Sequence, residues 1–172
     1  MPDNVLPVIL QTLDIRNYFG RFAVWILLVT VISVYSRSPL KAAVNTFTFF
    51  ISMLAGYYIY CNFVLGFLPR AYMMMWIGIS FITPFMAYIC WYAKGKGPVA
   101  IVSSGVIIGV LFAQAFSIIQ GFYVYSVMDV ITWLISIVIL FRKPKETAME
   151  IGISFVTACL CQLFVPNWLG AF

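Results

Sequence analysis

The chain has 172 residues, of which 64% are hydrophobic, 18% aromatic and only 9% charged, with no histidine and a net charge of +5. An average soluble domain is about 45–50% apolar and about 25% charged. A water-soluble globular fold is therefore excluded, and the mean hydropathy of +1.05 names lipid as the main solvent. Without histidine there is no Ser–His dyad, no His-ligated zinc and no His-ligated haem. The bases lie in short turns between apolar runs rather than on one patch, which is not a nucleic-acid footprint.

Residues 1–21 read as an N-terminal interfacial segment. Its short helix covers 5–19, with Pro7 near the start and Gly20 just past the end. Val5, Leu6, Ile9, Leu10 and Leu13 share a broad face, while Gln11 and Asp14 are polar, the pattern of a helix lying in the membrane surface. The stretch after Met1 has no early base and the exit at Ser36 has no small-residue cleavage pattern, so the first apolar run reads as retained.

Residues 22–172 then hold six apolar runs, at 22–36, 42–68, 71–93, 99–120, 123–141 and 148–165. A spanning helix needs about 17–25 residues. The second run is long enough to tilt or break, and the first and last are at the short end. Backbone polar groups in lipid must be satisfied within the segment, so these are helices. A barrel would alternate apolar and polar residues, and this chain does not. The expected fold is all-α: a polytopic six-transmembrane-helix bundle of three hairpins. The turns at Arg37-Ser38-Pro39, Lys94-Gly95-Lys96-Gly97-Pro98 and Arg142-Lys143-Pro144-Lys145 are alike, each basic, short and proline-bearing.

Those three turns hold Arg37, Lys41, Lys94, Lys96, Arg142, Lys143 and Lys145, against Arg16, Arg21 and Arg70 on the other side. The positive-inside rule puts the richer side in the cytoplasm and both termini outside, in a plasma (inner) membrane.

Asp129 is the one acidic residue that stands out deep in an apolar run, roughly 9 Å below the start of the 123–141 helix at 1.5 Å per residue. Intramembrane charges are costly and mark function by default. Three readings stay open. Asp129 contacts a solute, a cation or a proton; or it pairs with Arg70, Arg16 or Arg21; or its helix starts later and it is interfacial. Gln114, Gln120, Asn62 and Gln162 fall in the same outer half, with Tyr58 and Tyr125 among its tyrosines. An aromatic wall with a few convergent polar groups is what a small-molecule pocket requires. Tyrosines also form interfacial belts, and amides also bond helices together.

Gly105, Gly109 and Ala113 form a small-residue stripe at four-residue spacing. It serves close packing within the chain or contact with a second copy or an energising partner subunit. Pro84 should kink its helix, freeing the Ser80 carbonyl for a solute or for capping by Thr83. Cys159-x-Cys161 is not a redox spacing. Cys61, Cys90, Cys159 and Cys161 read as small apolar residues, and Met73-Met74-Met75 as packing or lipid-facing filler.

No catalytic residue, metal site or cofactor is expected. A lipid-modifying membrane enzyme needs convergent catalytic groups, and one deep carboxylate does not supply them. The leading expectation is a protein that binds a small solute in an outward-facing, aromatic-lined cavity, as a transporter or its substrate-binding component. Its partners are then membrane lipids and the solute, with no nucleic acid. The alternative is a non-transporting subunit with an immunity, assembly or regulatory role, acting through helix–helix contacts.

Overall fold

A computed structural model of the chain describes residues 18–119 and 121–164. The interfacial helix expected at 5–19 lies almost wholly outside the described residues, and so does Gln120. Six helices are described: α1 (Phe22–Val34), α2 (Pro39–Tyr60), α3 (Arg70–Tyr92), α4 (Pro98–Ala115), α5 (Val127–Leu140) and α6 (Pro144–Phe164). A π-helical turn, Cys61–Leu65, extends α2 until Gly66 closes it at φ 68°. Two short strands, β1 (Phe116–Ser117) and β2 (Tyr123–Val124), pair antiparallel between α4 and α5.

The ends of these helices follow from local chemistry. Proline opens α2, α4 and α6, where its missing N–H costs nothing and its φ already suits a helix. Ser38 caps α2 by accepting from the Lys41 N–H, and Ser126 caps α5 by accepting from the Met128 N–H. The all-α class agrees with expectation. Among the described residues four helical segments are long and apolar enough to cross a membrane: Pro39–Val64, Arg70–Tyr92, Pro98–Ala115 and Pro144–Phe164. α1 and α5 have 13 and 14 residues, which at 1.5 Å per residue reach about 20 Å of a roughly 30 Å hydrocarbon core.

The runs expected at 99–120 and 123–141 shorten because the chain between them is extended. Phe116 lies opposite Val124, and Gly121 turns at φ 109°. Aromatic and β-branched residues around a glycine suit a hairpin as well as a helix.

Small polar side chains are buried among apolar ones such as Phe50, Leu111 and Leu140, while many large apolar side chains face outward. Phe85 is 72% exposed and Val138 75%, while Ser33, Ser80, Ser104, Thr132 and Ser136 are buried. Those hydroxyls bond their own helices, as in Ser33 to the Val29 carbonyl and Thr132 to the Met128 carbonyl, so they can be buried without distant partners. An outer surface this rich in large apolar side chains is that of a membrane protein.

The chain divides into two compact units, one of Val29–Tyr92 and one of the residues up to Leu28 together with those from Ala93 onward. In the Val29–Tyr92 unit α2 and α3 pack antiparallel, with ring centroids 5.9 Å apart for Phe47–Phe81 and 5.7 Å for Tyr57–Tyr72. Pro84 lies inside α3, and the Thr83 hydroxyl donates to the Ser80 carbonyl at 2.8 Å. The capping alternative for that carbonyl is the one observed. Met73 is buried and Met74 exposed; Cys61 and Cys90 are buried, whereas Cys159 and Cys161, in the other unit, are half-buried.

In that other unit α4 and α6 run parallel and touch along their length, with α5 returning antiparallel between them in sequence. Their register is set by Ser104 against Glu150 at one end and Phe116 against Gln162 at the other. A Cβ built on Gly105 would lie 2.8 Å from the Ile153 side chain, and one on Gly109 would lie 2.6 Å from the Ser154 carbonyl oxygen. At Gly105 and Gly109 the small-residue stripe is thus filled by α6 of the same chain. α4 is the hub, with 56% of its most apolar stretch buried against 17% for α6.

Candidate functional site

The buried residues of α5 are Asp129, Thr132, Ser136 and Leu140. Their spacing of three and four puts them on one stripe, and three of the four are polar. Capped by Ser126, the helix starts at Val127, four residues later than the run expected from 123, so Asp129 sits in the first turn. There a carboxylate is favoured by the helix dipole. Its side chain is 2% exposed and accepts from Arg21 Nη1 at 2.6 Å, with Arg21 itself 19% exposed. Of the three bases expected as partners, the structure gives Arg21. Beside this pair the Tyr18 hydroxyl and Thr132 Oγ1 are 2.5 Å apart. Burial pushes the Tyr18 phenol up, and the Asp129 charge adds to this, while the Thr132 bond opposes it.

Gln114 lies near the end of α4 and is 3% exposed. Among the described residues neither atom of its amide has a hydrogen-bond partner. It shares a buried face with Ile107 and Leu111 at helical spacing. Phe112 and Phe116 take another face and hold the Trp133 ring at 5.4 and 5.5 Å. The Trp133 N–H is likewise buried without a partner.

A second deep carboxylate corrects the sequence reading, which found only Asp129. Glu150 is fully buried. Its Oε1 accepts from Arg142 Nε at 3.0 Å and from the Ser104 hydroxyl at 2.7 Å, and its Oε2 has no partner among the described residues. Arg142 also donates to the Ala93 carbonyl and lies 3.9 Å from Glu146. The physical reason is the helix start. With α6 beginning at Pro144 rather than at 148, Glu150 sits more than a turn inside it. The available signal was the run Arg142, Glu146, Glu150, which repeats every four residues along one helical face.

The remaining expected site residues separate. Gln162 is committed to the hairpin: its Nε2 donates to the Phe116 carbonyl at 2.5 Å, and its Oε1 accepts from the Ile118 N–H at 2.9 Å. Tyr125 donates its backbone N–H to the Ala115 carbonyl, and its hydroxyl accepts from Tyr123 at 3.2 Å. Burial, with the Tyr123 bond in the same direction, pushes the Tyr125 phenol up against a Ser117 bond that lowers it. Asn62 and Tyr58 belong to the Val29–Tyr92 unit and are exposed there. Gln120 falls outside the described residues. Among the described residues no three His, Cys, Asp or Glu side chains form a group able to hold a metal.

Comparison with protein-family models, with curated proteins and with solved structures finds no match to this chain.

Proposed function

We propose that this is a multipass plasma-membrane protein that binds a small polar solute, as a transporter or the solute-binding component of one. The observation that carries the reading is Gln114: a buried amide on the central helix with both its donor and its acceptor unused. Such a group costs about 1–3 kcal/mol for each orphaned atom, and lipid around the bundle offers no substitute for the missing bonds. A solute with adjacent donor and acceptor atoms (an amide, a urea, a carboxylic acid) satisfies both ends at once. Asp129 already has Arg21 as counter-ion, which favours a neutral polar solute over an organic cation. The basic bias of the turns after α1, α3 and α5 supports a topology with those turns in the cytoplasm and the Gln114 end of α4 toward the outside.

The test is Gln114→Met, which keeps the length of the side chain and removes its polar atoms. Wild-type protein purified gently in detergent should retain a small molecule visible by mass spectrometry. The variant should lose it. With no solute present, the variant should be the more stable of the two by about 1–3 kcal/mol, read as a rise in Tm. A second reading, a membrane subunit acting through helix contacts, is favoured by the internal pairing of Asp129. A wild-type preparation free of solute but carrying a stoichiometric partner would decide for that reading.

A further inference from the structure

The Glu150 centre plays no part in the proposed solute contact and has the makings of a site of its own. We propose that Glu150 is a proton-binding site, loaded from solvent through Glu146. Two carboxylates, Glu146 and Glu150, share the guanidinium of Arg142, which is further divided by its bond to the Ala93 carbonyl. Both bonds to Glu150 fall on Oε1, leaving Oε2 bare in a side chain that is 1% exposed. A bare carboxylate oxygen at that depth invites a cation. A metal ion of the calcium or magnesium kind needs about six oxygens, whereas a proton needs one.

The surroundings fit that ligand. α4, which packs against α6 here, has no charged residue and presents only the Ser104 hydroxyl. Ser104 has one hydrogen and two kinds of acceptor, Glu150 Oε1 at 2.7 Å and the Ala100 carbonyl at 2.8 Å. It can serve the ionised carboxylate and return to its own helix when the carboxyl is neutral. The charged groups around Glu150 include Arg142 from the α5–α6 link and Glu146 from its own helix, with Lys143 and Lys145 following Arg142 in the chain and Lys94 and Lys96 following Ala93, whose carbonyl Arg142 bonds. Glu146 lies one turn earlier on the same face and its side chain is 41% exposed. A proton taken from bulk acid by Glu146 passes to Glu150 Oε2. One O–H bond breaks on Glu146 and one forms on Glu150, and Glu146 is left ionised to load again. Intramembrane carboxylates that exchange protons in this way are a recurrent element of relays in membrane proteins.

Dicyclohexylcarbodiimide tests this on the full chain in detergent. The reagent is hydrophobic and adds protonated carboxyl groups, ending as a stable N-acylurea with no leaving group. Peptide mass spectrometry should find the adduct on Glu150, increasing as the pH is lowered. Glu146→Gln, which leaves the Arg142 guanidinium to Glu150 without a competing carboxylate, should move that labelling to lower pH, and Glu150→Gln should remove it. An adduct missing from Glu150 at every pH, or one whose extent ignores pH, would overturn the proposal. Infrared spectra of Glu146→Gln protein carrying carbon-13 glutamate give a second check, because Glu150 is then the one glutamate left in the chain. A protonated-carboxyl band with the isotope shift should appear on acidification, and its absence would equally overturn the proposal.

Discussion

Arg21→Gln is expected to destabilise the protein by about 3–5 kcal/mol, because it removes one member of a buried ion pair and leaves the other charged. Asp129 is the partner left behind, at 2% exposure, and desolvation rather than lost attraction is the larger part of the cost. Asp129→Asn should cost less. It removes the Asp129 charge from Arg21, but Arg21 is 19% exposed and on a long stem that can carry its charge toward water. The double variant should recover much of the loss, since two neutral amides can bond to each other where two charges stood. Thermal unfolding of the four proteins in one detergent gives the cycle. Additive effects, with no recovery in the double variant, would show that the two side chains do not act as a pair.

Gly109→Ala should cost about 1–3 kcal/mol although it adds a single methyl group. The new Cβ would meet the Ser154 carbonyl oxygen at 2.6 Å, Thr157 Cβ at 2.7 Å and Ser154 Cα at 3.0 Å. Two of those three atoms are backbone, which cannot rotate away, so α4 and α6 must separate. Gly152→Ala is the control. Nothing lies within 4 Å of its Cβ position, so only helix propensity remains, worth up to about 1 kcal/mol in favour of alanine. The two substitutions should therefore shift Tm in opposite directions. A Gly109→Ala protein as stable as the parent would mean that the helices are not in contact there.

The helices were legible in the sequence because lipid demands long apolar runs, and each described helix lies on one. Their starts were less legible. Proline before 42, 99 and 148 reads as a breaker, yet Pro39, Pro98 and Pro144 stand inside the first turn of their helices. The same residue has both meanings, and only the fold selects between them. That ambiguity hid Glu150, which counting from 148 leaves at a helix end. At α5 the error ran the other way. Tyr123 and Val124 are apolar enough to join the helix, but their backbone bonds to Phe116 and Ser117 across a turn at Gly121. The Thr83–Ser80 cap was legible because both partners lie within one turn. The Arg21–Asp129 pair could only be narrowed to three bases, since 108 residues separate the partners. The orphaned state of Gln114 is a property of packing, and no spacing in the sequence encodes it.

α5 is staked at both ends. Asp129, in its first turn, is tied to Arg21, and Arg142, two residues past its last, is tied to Glu150 on α6. Sliding the helix along its axis, or turning it like a screw, would break one tie or the other in a place where water cannot replace it. The motions left open to it are those that keep both ends in place: bowing between them, or swinging about the line that joins them. Any working cycle of this protein that moves α5 as a piston must first let go of a charge.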